Sequence, residues 1–132
     1  MEKQHALQQL EQLQKKLYAI HYACSAMNLD ADTVAPKNTS EGRGVALGVL
    51  AGEEQQLMIC PETRALLDEL DRQKDELDLL HRREVEELRR RCDQLTRIPA
   101  EEYIAYSELV NKAGDVWHKA KEKDDFAMFC PL

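Results

Sequence analysis

Apolar residues fall at Leu10, Leu13, Leu17, Ile20, Cys24 and Met27, in steps that alternate between three and four. Successive side chains of an α-helix turn by about 100°, so this spacing puts all six on one stripe and predicts a helix whose seam packs against partner helices. The pattern ends in a link from Asn28 to Asn38 that carries Pro36. Thr39 or Ser40 can cap a second helix with Glu41 in its first turn, since a hydroxyl accepts from the free N–H groups there and a carboxylate suits the positive end of the helix dipole. Gly42, Gly44, Gly48 and Gly52 weaken that helix, each by about 1 kcal/mol against Ala. Their presence predicts close backbone approach by a neighbouring element, or a locally irregular helix.

Pro61 suits the first turn of a third helix, where its missing N–H removes no intrahelical bond. From Glu62 to Ile98 neither Pro nor Gly interrupts the chain, and Leu66, Leu67, Leu70, Leu77, Leu80, Val85, Leu88, Cys92 and Leu95 form a loose helical stripe. The polar run from Asp71 to Glu76 leaves a gap in that stripe, which predicts a break between a short helix and a long one. A final helix is expected over 100–121, with Ile104, Leu109, Ala113, Val116, Trp117 and Ala120 buried and Trp117 as a packing anchor. Ala113 and Gly114 leave room for a neighbouring helix, and Asp125 is placed to cap a further helix starting at Phe126, with Phe129 and Leu132 as its apolar beginning. The fold class is therefore all-α, an antiparallel bundle of four to five helices forming a single helical domain over residues 1–132.

Composition agrees with this class: 33% of residues are charged, 5% are aromatic and only five are Gly, a balance that favours helices over sheets. A net charge of −7 argues against nucleic acid or an anionic membrane surface as partner, because both need clustered Lys and Arg. Neither a long apolar run nor a basic and apolar leader is evident, so a cytoplasmic location is expected. Cys24, Cys60, Cys92 and Cys130 are too far apart for a Cys-x-x-Cys pair and read as small core filler.

Little local chemistry is apparent. Gly42-Arg43-Gly44 lacks the remainder of a phosphate-binding loop and the preceding strand. Arg89, Arg90 and Arg91 point about 100° apart on a helix and have Glu86, Glu87 and Asp93 beside them, so they read as solvated charge rather than one basic patch. Asp78 with Arg82, Glu86 with Arg90 and Glu87 with Arg91 are spaced for i,i+4 pairs. His81 with Glu84 is a single copy of a spacing that di-metal bundles use several times over. None of His5, His21, His81 and His118 belongs to a His-Glu-x-x-His pair, the spacing that sets two imidazoles on one helix face. No catalytic, metal or cofactor-binding residue is assigned, and the substrate-binding residues are left unknown.

The segment from Leu29 to Arg43 is more specific. Asp30, Thr33, Pro36 and Arg43 are similar to a Trp-Asp-Gln-x-Thr-x-Met-Pro signature, with an Arg beyond it, found in metallocarboxypeptidases of the thermostable carboxypeptidase (carboxypeptidase Taq) type. Leu29 and Ala35 depart from the Trp and Met of that pattern. Cys60-Pro61-Glu62 with Leu66-Leu67-Asp68-Glu69-Leu70, then Ile98-Pro99-Ala100-Glu101, Trp117-His118-Lys119-Ala120-Lys121 and Asp125-Phe126-Ala127-Met128-Phe129-Cys130-Pro131-Leu132, resemble later blocks of the same family in the same order.

The resemblance implies the N-terminal helical part of a larger metallopeptidase fold. The whole enzyme would release C-terminal residues from peptides by means of one divalent metal, zinc or cobalt, held by a downstream His-Glu-x-x-His helix. This chain, read as an N-terminal fragment or natural truncation, would then only help to wall the cleft and would be inactive alone. Arg43 is the charged signature residue to test against substrate, unless it braces Asp30. An oligoendopeptidase N-terminal domain and a free-standing helical interaction module are the alternatives. Exposed apolar helix faces would favour a homo-oligomer.

Overall fold

Five α-helices account for most of the chain in a computed structural model that describes residues 2–132: α1 (Lys3–Asp32), α2 (Ser40–Ile59), α3 (Pro61–Arg72), α4 (Leu79–Thr96) and α5 (Ala100–Glu122). Short 3-10 turns occupy Lys74–Glu76 and Phe126–Met128, and there is no strand among the described residues. The all-α expectation holds.

The boundaries follow from local chemistry. Helix α1 runs five residues further than the link reading expected, to Asp32. Only at Thr33 does it unwind, and there the N–H groups of Thr33, Val34 and Ala35 all donate to the Asp30 carbonyl, at 3.2, 3.1 and 2.9 Å. The Thr33 hydroxyl donates back to the Leu29 carbonyl at 2.6 Å. Pro36 disfavours helical backbone at Ala35, and Asn38, at φ 65°, takes the left-handed turn for which Asn is one of the better-tolerated residues. Pro61 opens α3 behind an extended Cys60. The break inside the long apolar stripe lies where the polar run placed it, between Arg72 and Leu79.

The chain forms two compact units, one comprising the chain up to Ile20 with Glu53–Pro99, the other His21–Gly52 with Ala100–Leu132. In the first, Ala6 and Leu10 of α1 join Leu66 and Leu70 of α3, Leu77, and Val85 of α4 in one apolar cluster, with Leu7 and Leu88 against it. Leu13 and Leu17 continue the buried stripe of α1. Leu80, expected in the stripe, is instead 66% exposed, because the chain re-enters helix at Leu79 with a new phase that turns Val85, Cys92 and Leu95 inward.

In the second unit α5 lies on the glycines of α2. A Cβ on Gly48 would sit 2.9 Å from Glu108 Oε1 and 3.3 Å from Ile104 Cγ2, one on Gly52 3.0 Å from Ile104 Cδ1, and one on Gly44 3.1 Å from Asn111 Nδ2. These three glycines therefore admit the close approach that their spacing suggested. Gly42 meets nothing within 4 Å.

Three further expectations differ from the structure. Of the positions expected to be buried on α5, Ala120 is buried and Ile104, Ala113 and Val116 are half-buried, but Leu109 and Trp117 are 45% and 46% exposed, since they lie on the side of the helix away from Ile104, Glu108 and Asn111. Cys92 is core filler, whereas Cys24 and Cys60 are half-buried and Cys130 is exposed; burial pushes the Cys24 thiol up from its ordinary pKa. Asp125 makes no side-chain cap, and the residues after it form a single 3-10 turn.

Candidate functional site

The signature segment leads into a polar cluster at the start of α2. Arg43 Nε donates to Asn111 Oδ1 of α5 at 3.1 Å, and its Nη1 reaches Thr39 Oγ1 at 3.5 Å. Thr39 Oγ1 itself donates to the Pro36 carbonyl at 2.8 Å. Asn111 Nδ2 donates to the Ser40 carbonyl at 2.9 Å and approaches Ser40 Oγ at 3.4 Å. One amide side chain thus holds both the entry of α2 and the guanidinium one turn later. The guanidinium bonds go to Asn111 and Thr39, so the brace to Asp30 considered from sequence does not form. Held by neutral oxygens and half-buried, Arg43 is a positioned cation with no carboxylate bonded to it among the described residues.

Asn111 gave no signal in sequence, being uncharged and outside every motif, and Gly44 beside it is its only trace. Nearby in the same unit, His118 Nε2 lies 2.9 Å from Asp32 Oδ1, pairing the ends of α5 and α1. Trp117 meets Phe129 edge-on, with ring centroids 5.3 Å apart.

The first unit holds the arginine run, and the three side chains leave α4 in different directions. Arg89 pairs with Asp71 at 2.6 Å and Asp68 at 3.3 Å on α3, Arg90 with Glu87 on its own helix, and Arg91 with the buried Glu54 of α2. The reading of these three as separate charges holds. The i,i+4 pairs do not: Glu86 is taken by Arg83 at 2.9 Å and Glu87 by Arg90, both at i,i+3. Asp78 caps α4, accepting the His81 N–H at 2.9 Å and lying 2.8 Å from its ring Nδ1, while Arg82 donates to the carbonyls of Lys74 and Leu77. First the His81 backbone N–H and then its ring hold the Asp78 carboxyl below the usual carboxylate range. His81 is thereby turned to Asp78 rather than to Glu84.

Also in this unit, the buried Gln55 donates through Nε2 to the carbonyls of Leu95 and Ile98, at 3.2 and 2.8 Å, closing the end of α4. An open groove of about 790 Å³ runs between α1 and the α2–α3 junction, past His5, Gln8, Gln12, Cys60, Glu62 and Thr63.

Among the described residues no three His, Cys, Asp or Glu side chains are grouped so as to hold a metal ion, so these residues do not fit a metal centre. No helix among them is long and apolar enough to cross a membrane.

Comparison with known proteins connects these elements. The family described as carboxypeptidase Taq (M32) metallopeptidase matches residues 9–132. Carboxypeptidase 1 of Bacillus subtilis (strain 168) is 34% identical over 113 residues, 84% of this chain and 23% of that protein. Thermostable carboxypeptidase 1 of Pyrococcus furiosus is 30% identical over 117 residues, 89% of this chain and 23% of that one. The crystal structure of BsuCP superposes with a TM-score of 0.91 at 30% identity, covering 96% of this chain and 26% of its own. The chain thus spans about a quarter of the length of these relatives.

Proposed function

This chain belongs to the carboxypeptidase Taq (M32) metallopeptidase family, and on that premise we propose that it is the N-terminal, cleft-walling helical part of a metal-dependent carboxypeptidase that releases C-terminal residues from peptides. The observation that carries the reading is the match of nearly the whole chain to a quarter of two carboxypeptidases and of one crystal structure. The described residues supply no metal-ligand group, and the sequence contains no His-Glu-x-x-His pair. Their part is architectural: they fix Arg43 and the helices around it, while the metal and the general base of the reaction come from polypeptide outside these residues. Zinc or cobalt is the metal this reading entails, and the cytoplasm its setting.

A chimera tests it. This chain replaces the segment it matches in Bacillus subtilis carboxypeptidase 1, and hydrolysis of a blocked dipeptide is followed with added zinc or cobalt. The chimera is expected to cleave the substrate and the chain alone is not. A chimera that folds, binds metal and yet does not hydrolyse the dipeptide would remove the proposal.

A further inference from the structure

The side of α5 turned away from α2 is apolar and largely bare. At 100° per residue Tyr106, Val110, Ala113 and Trp117 share one face with Leu109 at its edge, opposite the Ile104, Glu108 and Asn111 that sit on the glycines. Tyr106 is 64% exposed, Leu109 45% and Val110 51%, and no charged residue falls on this face between Tyr106 and Trp117. A helix already packed against α2 on one side and apolar on the opposite, exposed one has a second face suited to a neighbour.

At its far end the stripe already has a neighbour. The chain turns back after α5, the Asp125 N–H donates to the Ala120 carbonyl at 2.9 Å, Phe129 lies edge-on to Trp117, and Ala120 is left only 3% exposed. The segment that covers this end comes from the same chain and brings aromatic side chains. What covers the rest is indicated by length, since polypeptide amounting to three quarters of each relative has to pack around a fold that this chain reproduces at a TM-score of 0.91.

We infer that the Tyr106–Trp117 stripe of α5 is the docking surface for a helix, with its own apolar face, from the part of a carboxypeptidase Taq-family polypeptide that this chain does not span. This inference rests on the function proposed above and assigns the surface through which the helical part is joined to the remainder.

Thiol labelling reads the surface directly. Val110→Cys is placed in the chain alone and in the chimera with Bacillus subtilis carboxypeptidase 1, with Leu109→Cys as the second site should the first disturb folding. Maleimide labelling at that position is timed by mass spectrometry of its peptide, separately from the native cysteines. The rate is expected to fall at least about tenfold in an active chimera, as for a position that reacts only on local opening. Equal rates in an active chimera overturn the docking and leave the proposed function standing, whereas equal rates in a chimera that folds and binds metal but is inactive overturn both. Protection in the chain alone that grows with its concentration places a second copy on the stripe and overturns the named occupant.

Discussion

Asn111 is the side chain on which the second unit's polar contacts converge. Its amide accepts from Arg43 and donates to Ser40, so removing it leaves a half-buried guanidinium and a helix-entry carbonyl short of partners at once. Unmade bonds of this kind cost more than the bonds contribute when formed. Arg43→Ala and Asn111→Ala should each lower stability, and because both remove the same contact the double variant should fall short of the sum by about 0.5–3 kcal/mol. Urea unfolding of the four proteins measures this. In the chimera, Arg43→Ala should leave KM within about twofold if the residue acts by holding structure, since binding terms and positioning terms separate in KM and kcat. A much larger rise in KM would instead make Arg43 a substrate contact.

Between elements, the glycine row of α2 separates two effects that a Gly→Ala comparison usually mixes. Replacing a helical glycine by alanine stabilises by about 0.5–1 kcal/mol where the methyl has room. Gly114 of α5 meets nothing within 4 Å, so Gly114→Ala should raise the melting temperature. Gly48 faces Ile104 and Glu108, and Gly48→Leu should lose about 1–3 kcal/mol through overpacking. Thermal melts of the two variants check the contrast, and equal stabilisation by both would mean that α5 does not lie on that row.

The same elements show what could be read from the chain beforehand. Spacing and breaker residues located the helices, because Pro61 and the polar run at Asp71–Glu76 act through their immediate neighbours. The end of α1 lies beyond the expected link because Asn28 is a poor helix former but not a breaker, and nothing before Pro36 forbids another turn. The contacts of Gln55 with Leu95, Arg91 with Glu54 and Arg43 with Asn111 join residues 37 to 68 positions apart, and no local pattern encodes such pairings. Periodicity likewise finds the apolar residues of α5 but does not distinguish a covered stripe from a bare one, so it predicts burial for Leu109 and Trp117, which are exposed.

Across the whole molecule the burial is uneven. Leu10, Met58, Leu67, Leu70 and Val85, all in the first unit, are among the most fully buried side chains, while the buried apolar residues of the second are Leu47, Ala51 and Ala120. Local opening is easiest where buried apolar contact is least. In the chain alone, backbone amides of α3 should therefore exchange with deuterium about a hundredfold more slowly than those near Tyr106 on α5; equal protection would contradict the uneven burial. The first unit also joins the earliest part of the chain to much later parts, and Val85 lies 75 residues beyond its core neighbour Leu10. On a ribosome adding about 5–20 residues per second, the leucine seam of α1 emerges about 4–15 s before that partner does. During synthesis this seam is an apolar ribbon without its cover, and until α4 arrives it is the part of the nascent chain most prone to stray association.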